Sequence, residues 1–105
     1  MDLQKIVEDA RQKHIPLLLD ETAEFLLSFL KDKKFNNILE IGTAVGYSGI
    51  LFLQNQPNAK LTTIDIDENI QNIARQNFKT FKLENRVKLI NGDAKEVICS
   101  LKQKV

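Results

Sequence analysis

Asn37-Ile38-Leu39-Glu40-Ile41-Gly42-Thr43-Ala44-Val45-Gly46-Tyr47-Ser48 is the stretch that decides the fold. Its first five residues are short, apolar and β-branched in character, the pattern of a buried parallel strand. Glycines at the end of such a strand let the backbone turn sharply and approach a ligand. A helix is expected to begin near Gly46 or Tyr47. Its start offers unpaired N–H groups and a partial positive charge, which favour a bound carboxylate or phosphate. Asp65 closes the next strand about twenty residues later, the spacing of a nucleoside-binding βαβ unit.

Spacing separates the possible ligands. A dinucleotide fingerprint begun at Gly42 requires glycine where the chain has Ala44 and Tyr47, and a P-loop requires Gly-Lys where it has Tyr47-Ser48. The pattern that is met is acidic-x-Gly-x-small-x-Gly, at Glu40, Gly42, Ala44 and Gly46. It resembles motif I of the S-adenosylmethionine-dependent methyltransferases. That cofactor carries an ammonium and a sulfonium, so the Glu40 carboxylate is useful where it would repel a pyrophosphate.

The resemblance extends along most of the chain. It is closest to the small bacterial O-methyltransferases related to the catechol and caffeoyl-CoA enzymes, a family that includes enzymes acting on hydroxyuridine in tRNA. Its marks are Ala10 to Pro16 with the Ile15-Pro16 pair, the segment from Ile38 to Ser48, Leu61 to Asp67, and Asn91-Gly92-Asp93-Ala94. Ala44 replaces the central glycine of the general motif, a substitution common in this family. By the family pattern, Glu40 lies near the methionyl amino group, and the backbone of Gly42, Thr43, Ala44, Val45 and Gly46 lines the cofactor. Ser48 and the local amides would meet its carboxylate, Asp65 the ribose hydroxyls, and Asp93 with the Ala94 amide the adenine edge. Tyr47 is either a cofactor contact or a packing residue beside the pocket.

The expected fold is α/β: the first half of a Rossmann-like class I methyltransferase sheet, strand order 3-2-1, preceded by two N-terminal helices. Residues 1–35 would form the helical part of a single domain and residues 36–105 its βαβαβα cofactor-binding part. Leu3, Ile6, Val7 and Ala10 form the stripe of the first helix; Asp20 can cap a second, burying Ala23, Leu26, Leu27 and Leu30. Asp67 is expected to cap a helix that turns Ile70, Ile73, Ala74 and Phe78 to the sheet, and Asp93 one carrying Val97, Ile98 and Leu101. Strand three is expected over Arg86 to Ile90. Ligands of such sheets bind beyond the carboxyl ends of the strands, where Gly42, Asp65 and Asp93 all fall.

Composition narrows the classes. At 105 residues, 43% hydrophobic and formally +1, the chain suits one modest core and lacks a strongly basic nucleic-acid arm. The lysines at Lys31, Lys33, Lys34 and from Lys79 to Lys88 read as solvated faces. No apolar stretch reaches membrane-spanning length, and Asp2, Lys5, Glu8 and Asp9 leave no signal-peptide core, so a cytoplasmic location is expected. His14 reads as a surface or packing residue rather than a base, and Cys99 as a small core residue. One histidine and one cysteine give no zinc set and no internal disulfide.

The family resemblance implies seven strands, and Val105 falls in or just after the third helix of the βα series. The chain therefore reads as an N-terminal portion or a truncated product. In metal-dependent members the other half supplies the Mg²⁺ ligands and catalytic lysine, so catalytic residues are not assignable here. Strand one would carry an apolar edge inviting self-association. The expected activity is methyl transfer from S-adenosylmethionine to a hydroxyl of a small aromatic or a tRNA hydroxyuridine, with Mg²⁺ in the complete enzyme; the alternative is a non-catalytic cofactor-binding or assembly module.

Overall fold

The computed structural model describes residues 3–15 and 34–102. Helix α1, Leu3–Gln12, buries Ile6 and Ala10 and leaves Leu3 and Val7 half-buried, as its stripe implies. His14 ends it in the left-handed region, φ 58°. The His14 N–H donates to the Arg11 carbonyl at 3.1 Å and the Ile15 N–H to the Ala10 carbonyl at 2.9 Å. This pair of hydrogen bonds is the Schellman stop, and Ile15 supplies its apolar contact with the core. His14 is accordingly exposed and serves as a terminator. The second expected helix, from Asp20 through Leu30, lies outside the described residues.

Strand β1 (Asn37–Ile41), helix α2 (Tyr47–Asn55), strand β2 (Lys60–Asp65), helix α3 (Glu68–Thr80), strand β3 (Val87–Asn91) and helix α4 (Ala94–Lys102) follow in alternation. The three strands are parallel in the order β1-β2-β3, which is the expected 3-2-1 half-sheet. Register aligns their carboxyl ends: Ile41 pairs with Ile64, and Asp65 with Asn91. One rim thus collects the residues that follow all three strands.

Val45, Ile50, Leu53, Ala59, Leu61, Ala74, Phe78 and Leu83 form the core with Ile6 and Ala10. On α3, Ala74 and Phe78 are buried and half-buried Ile70 and Ile73 pack against the core, as expected; Gln71 and Asn77 complete the covered face. Those amides are tolerated because they are bonded: Asn77 Nδ2 donates to the Val45 carbonyl at 2.8 Å and Gln71 Nε2 to that of Ile90 at 2.9 Å. Strand three begins at Val87, one residue late, because Arg86 closes a 3-10 turn over Glu84–Arg86. Its guanidinium donates to the carbonyls of Leu53, Gln56 and Ala59 at 3.2, 2.6 and 3.0 Å, placing a cation at the carboxyl end of α2. Cys99 is exposed; it sits about 100° around α4 from half-buried Ile98, off the apolar stripe.

Candidate functional site

The turn after β1 is built from three residues of positive φ. Gly42 lies at 91°, Ala44 at 46° and Gly46 at 89°. The Gly42 N–H still donates to the Ile64 carbonyl, at 2.7 Å, before the chain leaves the sheet. A Cβ on Gly42 would meet no protein atom within 4 Å, so its missing side chain leaves open space at the rim. Gly46 differs: a Cβ there would lie 3.3 Å from Ala74 Cβ and from the Phe78 ring. Gly46 therefore serves the turn and the close seat of α3, and α2 begins just after it, at Tyr47, as expected.

Ala44 is the strained member. An L-residue in the left-handed region costs about 1–2 kcal/mol, whereas glycine costs the unfolded chain somewhat less than that in entropy. Ala44→Gly is expected to stabilise the fold by about 0.5–1 kcal/mol with ligand affinity unchanged. Thermal melts of the two proteins check this, and an unaltered or lower melting temperature would contradict it.

At the strand ends lies a cleft of about 310 Å³, within the size range of small-molecule sites. Gly42, Asp65, Asp93 and Ala94 line it together with Ile41, Ile64, Ile66 and Gly92. Four of the expected residues thus meet around one space. Asp65 also holds the loops: Oδ2 accepts from the Ala44 N–H and Oδ1 from the Asp67 N–H, both at 2.9 Å. Asp67 accepts from the Ile70 N–H at 3.0 Å and caps α3 as expected. Asp93 Oδ1 accepts from the Lys95 N–H at 2.8 Å, capping α4 from inside the cleft wall. Ile66, 72% exposed, is a lining residue that sequence reasoning missed; its signal is an isolated apolar side chain between two aspartates at a strand end.

Glu40, Thr43 and Ser48 gather elsewhere, beneath that rim on the covered face of the sheet. Glu40 is buried. Its Oε2 accepts from Ser48 Oγ at 2.5 Å and its Oε1 from Thr63 Oγ1 at 2.6 Å. Burial pushes the Glu40 carboxyl above its ordinary value; the two hydroxyls pull it down and the Asp65 charge adds to the rise. Thr43 Oγ1 lies 2.8 Å from Thr63 Oγ1 and 3.2 Å from Gln71 Nε2. Sequence reasoning also missed Thr63 and Gln71, whose polar side chains inside apolar segments are the available sign. Tyr47 is half-buried and packs on the core. Among the described residues no group of three or more His, Cys, Asp or Glu is placed to hold a metal ion, and no helix is long and apolar enough to cross a membrane.

Comparison with known proteins agrees with this fold. The structure is similar to that of the O-methyltransferase from Bacillus cereus in complex with SAH, with a TM-score of 0.84 at 25% identity over 96% of this chain and 47% of that one. A Staphylococcus aureus protein with a provisional caffeoyl-CoA O-methyltransferase assignment gives a TM-score of 0.82 at 32% identity, over 90% of this chain and 45% of that one. In sequence, a Saccharolobus solfataricus protein named as a probable cobalt-precorrin-6B C(15)-methyltransferase (decarboxylating) is 29% identical over 97 residues, 90% of this chain and 48% of the relative. The chain spans about half the length of these proteins. The family model described as O-methyltransferase matches residues 2–105, and the chain belongs to that family.

Proposed function

We propose that residues 36–105 bind S-adenosylmethionine, residues 1–35 forming the helical part of the same domain, and that the whole protein transfers its methyl group to a hydroxyl oxygen. The observation that carries this reading is the convergence of Gly42, Asp65 and Asp93 on one cleft from three aligned strand ends, with Glu40 buried beneath the rim two residues before Gly42. Asp65 would accept from the ribose hydroxyls with the lone pairs its two loop bonds leave. Asp93 and the Ala94 amide would meet the adenine edge, and Ile66 would cover its face. Glu40 would face the methionyl ammonium, the pairing a buried carboxylate needs. The carboxylate would meet the first-turn amides of α2; the Ser48 hydroxyl hydrogen is already given to Glu40.

The Bacillus cereus relative is in complex with SAH, the demethylated form of this cofactor, which supports the ligand class. When bound, the cofactor supplies an electrophilic methyl for in-line displacement; this chain's residues hold and orient it. The acceptor would be a small aromatic hydroxyl or a tRNA hydroxyuridine, with a cytoplasmic setting, and with Mg²⁺ in the complete enzyme held by residues outside this chain. Cofactor binding by the 105-residue chain without turnover on catechol or 5-hydroxyuridine is the expected assay result. Turnover by this chain alone would contradict the placement of the catalytic groups beyond it.

Self-association is proposed through β1. Among the described residues β1 pairs only with β2, and Leu39 and Ile41 are 51% and 62% exposed. Pairing would satisfy the outer backbone groups, and covering apolar area yields about 25 cal/mol per Å². Light scattering on the chain is expected to show a dimer or larger species, and Leu39→Lys to shift it toward monomer. A monomer at high concentration would contradict the proposal.

A further inference from the structure

Four buried side chains form a run of hydrogen bonds whose direction chemistry fixes. The Ile90 carbonyl only accepts, so the end of the Gln71 amide that faces it is the NH2 group. The same nitrogen lies 3.2 Å from Thr43 Oγ1 and gives it the second hydrogen. At the far end an ionised Glu40 only accepts, so Thr63 gives its single hydroxyl hydrogen to Oε1. Thr63 then has none left, and in the 2.8 Å contact between the hydroxyls Thr43 is the donor. Thr43, Thr63 and Gln71 are at most 1% exposed, so water does not compete for these bonds.

We infer that Thr63 and Gln71 are positioning residues: a one-way hydrogen-bond chain from Gln71 through Thr43 and Thr63 fixes the Glu40 carboxylate as an oriented acceptor for a ligand ammonium. This rests on the reading of Glu40 under Proposed function. The chain starts on α3, is anchored to the carbonyl of Ile90 on β3, and ends on β1, so it ties the ligand's acceptor to all three strands. Each bond in such a run polarises the next, and a bond given to the charged form favours that form. Among the described residues the groups acting on Glu40 are Ser48 of α2 and Thr63 and Asp65 of β2, Asp65 being the charged one. Asp65 opposes ionisation, as does burial; Ser48 and Thr63 oppose both.

The test is the pH titration of the Glu40 carboxyl, followed by carbon-13 NMR in the intact protein, beside SAH affinity at about pH 6 and about pH 8. Removing a donor favours the neutral acid, so in Thr63→Val the carboxyl is expected to titrate about one pH unit higher than in the wild type. SAH binding should then fall several-fold at the lower pH and far less at the higher. Thr63→Ser restores both, and Gln71→Met moves both the same way by less. An unchanged titration in Thr63→Val, or an equal shift in Thr63→Ser, would overturn the inference. Should Thr63→Val fail to fold, Gln71→Met decides alone: a titration identical to the wild type overturns it. A wild type with no affinity for SAH removes the reading of the site together with the inference. Affinity lost in Glu40→Gln but intact in Thr63→Val and Gln71→Met at both pH values removes the inference alone.

Discussion

Gly42→Val is expected to reduce cofactor binding below detection while the protein still folds. The backbone sits at φ 91°, which a β-branched residue adopts only with strain of order 1–3 kcal/mol. Within the protein the new side chain has room at its base, since no atom lies within 4 Å of the Cβ position. The space it takes is cleft, and there it would strike the ligand. Melting temperature and SAH affinity measured on the same samples separate the two effects. Loss of both together would make Gly42 a residue of the turn only.

A smaller but still large effect is expected from Asp65→Ala. The substitution removes the acceptor for the ribose hydroxyls and also those for the Ala44 and Asp67 N–H groups. Leaving such partners unpaired costs about 1–3 kcal/mol in affinity, roughly 5- to 150-fold in Kd. The tie to Ala44 adds a second route to the same loss, because it holds the loop that carries the positive-φ residues. Equal affinity in wild type and Asp65→Ala, by calorimetry, would remove the ribose assignment.

The two periodicities and the glycine spacing make the half-sheet legible in the sequence alone. The bounds of strand one, the turn at Gly42 to Gly46 and the position of Asp65 each depend on neighbours in the chain, and each is found where expected. The expected burial of strand one is not found, because among the described residues Leu39 and Ile41 are exposed and only Glu40 of that strand is buried. What stays hidden depends on partners distant in sequence. Gln71 is assigned no role from the sequence, because its partners are Thr43, 28 positions earlier, and the Ile90 carbonyl. Arg86 reads as the first residue of a strand, because its use as a cap on α2 needs carbonyls 27–33 positions away. Cys99 reads as a core residue from its expected place on the apolar side of the helix, and a single residue's rotation about α4 places it outside.

The candidate site divides the same way. Gly42, Asp65 and Asp93 are grouped by strand-end logic and Ala94 joins them by the family resemblance, and all four line one cleft. Glu40 and Ser48 are expected to act on the ligand separately, yet the structure bonds one to the other. Local spacing carries no information on whether a hydroxyl hydrogen is already committed.

Calorimetric titration of SAH into the unmodified chain tests the cofactor assignment most directly. Saturable binding of about one SAH per chain, lost in Gly42→Val, is the result expected from a cleft lined by Gly42, Asp65 and Asp93. Absence of binding at about millimolar SAH, where even a Kd giving about −4 kcal/mol is visible, in a chain shown to be folded would contradict it.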